Sequence, residues 1–409
     1  MSNGVSNSQT LMARQPIFDR QLKVIAYELL YRSDGSNEAD FLDGEQATSE
    51  VLLNTYTSIS DEGTTKRVPA FLNLTREMLV AQSIPQVLNK QIVIEVLEDV
   101  AVDDAVINAV KKFKADGFKV ALDDFIWDDQ YIPLLEIVDI VKIDVLQLTK
   151  EEIDQHIKKL APYRVTLLAE KIETVERLYE CIDQGFKLFQ GHFLSKPQIV
   201  KGKKFSANSL ALIQVVQELQ NPNTTASAVE HMIIKDPVLT YKLLRIVNSA
   251  AYSLVRKVES LNQAIVLLGM EQVRKWATLI SLSSNKGKPS ELSRSLLARG
   301  RMCELLAEAM DYPDASNYFM VGMMSDINAL LDMEMGSLLE QIPLNDEIKA
   351  AIGSHEGKMG MVLEAALAYE RGEWERLSEF EINDNLYETA YRHSITWAQE
   401  AVQTMADTS

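Results

Sequence analysis

Cysteine is nearly missing from this chain: 409 residues contain two, Cys181 and Cys303, far apart and each set in a helical pattern among apolar residues. No C-x-x-C pair exists, so a cysteine-built zinc site is excluded, and such usage fits a reducing cytoplasm. Histidine is also scarce, with five in all. No run of about 18 apolar residues occurs, so no membrane-spanning helix is expected. The opening MSNGVSNSQT has neither a basic start nor an apolar stretch. It does not read as a secretory signal, and residues 1–10 are expected to be a disordered leader. Positive charge is in deficit: 41 Lys and Arg stand against 59 Asp and Glu, a formal net charge of −18. That balance argues against a nucleic-acid polymer or an anionic membrane as partner. A small anionic ligand is still permitted, because metal ions and a few local basic groups can make one positive pocket on an acidic protein.

What is present reads as a soluble globular protein, with 46% hydrophobic and 24% charged residues. Its length predicts two domains. From residue 11 to about 200, β-branched apolar runs alternate with amphipathic stretches, the rhythm of βαβ units. The stretches 108–117 and 175–185 end at Gly117 and Gly185, which predicts helix stops there. Residues 16–32 read as a hairpin with Asp19 and Arg20 in its turn, so one strand is expected to run antiparallel. After a polar connector at Pro197 and Lys201–Lys204, the alternating pattern stops. Segments such as ALIQVVQELQ and LNQAIVLLGMEQVRKWATLISL carry apolar residues at helical spacing, and Asp236-Pro237 suits a helix start. The expected architecture is α/β plus all-α: a (β/α)₈ barrel over 11–200, then a helical domain over 201–409.

Seven apolar runs of the first half end on residues able to hold a metal ion or move a proton. These are Glu28, Asn73, Glu95, the pair Asp123-Asp124, Lys142 with Asp144, Glu170 and Gln190. Strands whose carboxyl ends converge in this way describe the active face of a barrel. The ligand atoms are oxygens, as hard cations such as Mg²⁺ or Mn²⁺ prefer. Two such ions about 4 Å apart suit phosphodiester hydrolysis. Asp123 and Asp124 are adjacent, so both can face one site only where the strand has ended. Lys142 is placed to orient or deprotonate an attacking water.

The same residues lie in motifs that resemble the EAL domain, the cyclic-di-GMP phosphodiesterase fold. The motifs are RQPIFD (14–19), YELLYR (27–32), FLNLT (71–75), IEVLE (94–98), LDDF (122–125), VKID (141–144), AEKIET (169–174) and FQGHFLSKP (189–197). The resemblance implies metal ligation by Glu28, Asn73, Glu95, Asp123, Asp124, Glu170 and Gln190. It implies catalytic roles for Lys142, Glu28 and Glu170, and dinucleotide contacts from Arg32, Gln15 and Asp144. Glu98 and Glu173 take supporting roles. Two departures stand out. The glycine-rich loop usual after the aspartate pair is replaced by Ile126–Gln130, and Lys171 stands where glycine is expected.

The second half, through residues 236–252 and 258–276, resembles the HDOD domain, a helical relative of HD-type phosphohydrolases. Where an HD enzyme shows His-Asp, this chain reads Met324-Ser325-Asp326, so a relay or regulatory role is expected there. EAL followed by HDOD is the arrangement of YuxH-like signalling proteins. The implied ligand is cyclic di-GMP with two divalent ions, the implied further partner is a signalling protein met through the helical half, and a homodimer is left open. A second reading also stays open: a catalytically silent barrel acting as a scaffold, favoured by the Ile126–Gln130 loop and Lys171.

Overall fold

The computed structural model describes residues 10–33, 68–82, 84, 91–195, 216–219, 221, 223–235, 237–248, 258, 260–283, 289–342 and 344–406. The leader 1–9, the connector around Lys201–Lys204 and Asp236 lie outside these residues. Thr10, read as part of the leader, instead opens the first strand. The chain forms two compact units: Met1–Leu194 with Glu370–Trp374, and Ser195–Tyr369 with Glu375–Ser409.

The first unit is built on a closed barrel. Its strands are β1 (Thr10–Phe18), β2 (Val24–Ser33), β3 (Ala70–Leu74), β4 (Ile92–Val96), β5 (Lys119–Leu122), β6 (Ile140–Asp144), β7 (Thr166–Glu170) and β8 (Leu188–Phe189), bonded in chain order. β1 is antiparallel to both β2 and β8, and the other pairings are parallel. The hairpin turn has a local cause. Asp19 Oδ1 accepts hydrogen bonds from the backbone N–H of Gln21 (2.9 Å) and Lys23 (3.0 Å), folding the chain back on itself.

Among the described residues, five helices connect the later strands: α1 (Arg76–Ala81), α2 (Asp104–Ala115), α3 (Ile132–Leu135), α4 (Lys150–Leu160) and α5 (Val175–Asp183). Side-chain caps start four of them, from Thr75, Asp103, Thr149 and Thr174. Thr149 forms a reciprocal capping box with Glu152. Gly117 and Gly185 follow α2 and α5 at φ of 87° and 101°, a conformation glycine takes without a Cβ penalty.

The barrel interior is ordered by the period-two alternation of strands. Its floor is Ile17, Ala26, Phe71, Val93, Ala121, Ile140 and Leu168, a buried cluster with one residue from each of β1 to β7. Two positions further along each parallel strand stand Glu28, Asn73, Glu95, Asp123, Lys142 and Glu170. Gln190 bears the same relation to Leu188, which packs on that floor. On antiparallel β1 the step runs backwards, from Ile17 to Gln15, and Gln15 pairs with Glu28 across the ladder. One apolar layer thus carries one polar layer.

The second unit is helical, with no strand among its described residues. Its helices are α6 (Ala226–Ile234), α7 (Pro237–Val247), α8 (Leu261–Leu268), α9 (Met270–Ser283), α10 (Ser290–Ala309), α11 (Ala315–Met324), α12 (Ile327–Leu331), α13 (Met335–Gln341), α14 (Asp346–Ser354), α15 (Gly357–Arg371), α16 (Trp374–Leu377) and α17 (Asp384–Ala406). Helices α10 and α11 approach closely at Gly322, where a Cβ would lie 2.7 Å from the Arg299 carbonyl and 2.9 Å from Cys303 Sγ. Met320, Met323 and Met324 are buried in this core. Both cysteines are buried and free. Among the described residues, no helix is long and apolar enough to cross a membrane.

Candidate active site at the barrel mouth

The polar layer closes around one ammonium. Lys142 is fully buried, and its Nζ lies 2.6 Å from Glu95 Oε1, 2.6 Å from Asp123 Oδ1, 2.6 Å from Glu170 Oε1 and 3.3 Å from Glu28 Oε1. Amides brace the set. Gln190 Nε2 donates to Glu28 Oε2 and, at 3.0 Å, to Gln15 Oε1. Asn73 Nδ2 donates to Glu28 Oε1 at 3.4 Å, and Tyr31 Oη steadies this strand by donating to the Asn73 carbonyl at 3.0 Å.

Four carboxylates facing one ammonium carry an excess of negative charge, and the proton affinities register it. Burial works against the Lys142 charge, but Glu170, Glu28, Glu95 and Asp123 together hold its pKa well above the usual value. Burial pushes the Glu95 carboxyl well up against the pull of Lys142, and it pushes Glu170 up to about 8. Glu28 is also opposed by burial, yet Lys142 and three hydrogen bonds hold it below the ordinary value.

The donor set fits a hard divalent cation. One carboxylate oxygen from each of Glu28, Glu95 and Asp123 lies within 4.8 Å of the others. Three further oxygens of the layer, Asn73 Oδ1, Gln190 Oε1 and Glu95 Oε2, are buried without a hydrogen-bond partner. A buried polar atom left unpaired is costly. Unpaired oxygens beside converging carboxylates are what an oxygen-preferring ion would satisfy.

A second cationic point sits above the first. β5 ends at Leu122, so Asp123 and Asp124 lie past the strand, and Asp124 turns away in the left-handed region at φ 37°. Its carboxylate does not join the others. It accepts from Lys171 Nζ at 3.0 and 2.9 Å, and the same ammonium reaches Asp144 Oδ2 at 2.8 Å. Asp144 is two residues beyond Lys142 on β6 and therefore faces the same interior. Lys171 itself is left-handed at φ 56°. The triangle of Asp124, Asp144 and Lys171 was not foreseen as a unit, although the lysine in place of glycine was its signal.

The loop after Asp124 is held by aromatic packing. Phe125 meets Tyr131 at 5.5 Å and Trp127 at 6.3 Å between ring centroids, while Trp127 meets Tyr163 at 6.2 Å under Lys159. Trp127 packs with the hydrophobic residues outside the barrel floor, because neighbouring aromatics offer it a surface there. Glu98 is exposed in the turn after β4, and its carbonyl accepts from Tyr131 Oη. Glu173 is exposed just before α5, and His192 is exposed past Gln190. Arg32 pairs with Leu11 through the β-ladder, and its side chain lies outside the described residues.

In the helical unit, Asp326 accepts from Arg299 Nη1 at 2.6 Å, and the same nitrogen donates to Ser325 Oγ at 2.7 Å. The acidic group at the HD position is thus held by a buried guanidinium.

The EAL domain model matches residues 1–197 and the HDOD domain model matches 209–348. A protein of Bacillus subtilis called YuxH, described as uncharacterized, is 35% identical over 381 residues, 91% of this chain and 93% of that protein. The chain belongs to the EAL–HDOD family. In this EAL–HDOD protein the barrel is the EAL domain, and the helical unit continues past the HDOD match through α15, α16 and α17. Another relative, named cyclic di-GMP phosphodiesterase CdgJ, from Vibrio cholerae, is 32% identical over 377 residues, 90% of this chain and 87% of that protein. Among solved structures, the manganese and cyclic-di-GMP complex of BlrP1 from Klebsiella pneumoniae aligns at 20% identity with a TM-score of 0.38, covering 47% of this chain and 57% of that one.

Proposed function

We propose that the barrel binds cyclic di-GMP and, with divalent metal, hydrolyses one of its phosphodiester bonds to leave the linear dinucleotide. The observation that carries this reading is the oxygen-only cluster of Glu28, Glu95 and Asp123, ringed by the unpaired oxygens of Asn73, Gln190 and Glu95. Glu28, Asn73, Glu95, Asp123, Glu170 and Gln190 would hold Mg²⁺ or Mn²⁺. Such an ion supplies an acidified water and offsets charge on the phosphate. Lys142, fixed among four carboxylates, positions the water and holds a positive charge close to the reacting phosphate. Arg32, Gln15 and Asp144 are assigned to the dinucleotide. Glu98 and Glu173 anchor the loops on which they sit. The HDOD domain regulates the barrel or relays its state to a protein partner, in the cytoplasm.

The test is turnover of cyclic di-GMP by the full chain in Mn²⁺. Replacing Glu95→Gln or Lys142→Ala is expected to lower the rate at least a hundredfold. A second reading, a barrel that signals by binding alone, is favoured by the Lys171 ion pair with Asp124. Background rates in the wild type, Glu28→Ala and Lys142→Ala alike, with micromolar binding retained in the wild type, would select it.

A further inference from the structure

We infer that Lys171 is a built-in cation standing in for a second divalent ion, so that the barrel mouth holds one metal ion rather than two. The inference rests on the reading that the lower cluster binds metal. Two carboxylates from different strand ends, Asp124 after β5 and Asp144 on β6, converge on one point, and the Lys171 ammonium occupies it at 2.8 to 3.0 Å. The arrangement is tethered on both sides. Asp144 uses its other oxygen to accept the Leu146 backbone N–H at 2.8 Å and the Gln147 N–H at 3.3 Å. Asp124 and Lys171 each sit in the left-handed region, where glycine is comfortable and a branched chain at Cα is not. Non-glycine residues persist there only where the surrounding structure holds them, and here that geometry brings their two charges together.

The chemistry of the substitution is specific. An ammonium offers three donors and one positive charge, enough to bind both carboxylates and to neutralise part of the pair. It has no vacant coordination position, so it does not acidify a water as a metal ion does. Water activation is therefore left to the ion held by Glu28, Glu95 and Asp123, with Lys142 beside it. Asp124, which the family resemblance places among the metal ligands, becomes the partner of Lys171. A second divalent ion could use Asp124 only by displacing the lysine from its two contacts with that carboxylate.

Stoichiometry decides this without recourse to activity. The full chain, stripped of metal, is titrated with Mn²⁺ by calorimetry, and the bound ion is read by electron paramagnetic resonance. The wild type is expected to take one Mn²⁺ with the spectrum of an isolated ion. Lys171→Gly, which relieves the left-handed strain as it removes the charge, is expected to take two, with the signal altered by exchange coupling. Lys171→Met keeps the backbone but not the charge and should behave like the glycine variant. Two ions in the wild type, or one in all three proteins, overturns the inference while the metal-dependent reading of the barrel stands. No Mn²⁺ bound by any of them overturns both.

Discussion

Replacing Lys142 by methionine isolates the electrostatics of the barrel mouth. Its Nζ is the shared cation of Glu28, Glu95, Asp123 and Glu170, at 2.6 to 3.3 Å, and the lysine side chain is 1% exposed. Methionine fills nearly the same volume, so the loss is one of charge rather than packing. Removing one partner of a buried ion pair costs about 3–5 kcal/mol, because the remaining charge is stranded. In a domain of this size each kcal/mol moves the melting temperature by about 2–4 °C, so the metal-free barrel transition should fall by roughly 6–20 °C. The carboxyls can escape part of that cost by taking up protons. Burial pushes the Glu170 pKa up to about 8, so this carboxyl takes up a proton more readily than an ordinary one, and the penalty should be smaller at pH 6 and larger at pH 9. Its folded pKa lies above its unfolded value of 4.5, so its contribution to stability is present below about 4.5 and fades as pH rises towards 8. Mn²⁺ should narrow the gap between variant and wild type by supplying the missing charge. Thermal unfolding in chelator and in Mn²⁺, at pH 6 and 9, measures all of this. A variant as stable as the wild type in chelator at pH 9 would refute the argument that Lys142 holds the cluster together.

Two further outcomes follow from other places in the fold. Gly191 has φ 148°, and a Cβ there would fall 2.1 Å from the Ile172 carbonyl oxygen, so Gly191→Ala should destabilise the barrel by about 1–3 kcal/mol and disturb neighbouring Gln190; chemical denaturation with urea measures it, and an unchanged midpoint would count against that close contact. In the helical unit, burial lowers the Lys275 pKa to about 8 despite Glu304 at 2.6 Å, so the folded state binds the proton less tightly than the unfolded one. Stability from this group should rise between pH 8 and 10.5, and melting curves of Lys275→Met should lack that rise if Lys275 is its source.

The polar layer was legible because strands repeat every two residues and a barrel has one inside. An apolar residue on the floor dictates that the residue two along faces the same interior, so Glu28, Asn73, Glu95, Lys142 and Glu170 could each be placed from its own run. The antiparallel start was equally local, since Asp19 makes its turn through its own side chain. Helix stops at Gly117 and Gly185 were legible for the same reason. Trp127 was not, because an aromatic ring goes to whichever surface the fold offers, and Tyr163 lies 36 positions away in the chain.

By itself, then, the sequence determined which residues face the barrel interior, in what order, and where strands give way to helices, because these depend on alternation, caps and turns within a few residues. Only the tertiary structure decided how the charges pair. That Lys142 is shared by four carboxylates, that Asp124 leaves them for Lys171, and that Asp144 joins it are facts about side chains 19 to 114 positions apart. Closing the barrel sets these distances, and in a buried mouth a difference of an ångström or two determines which opposite charges meet.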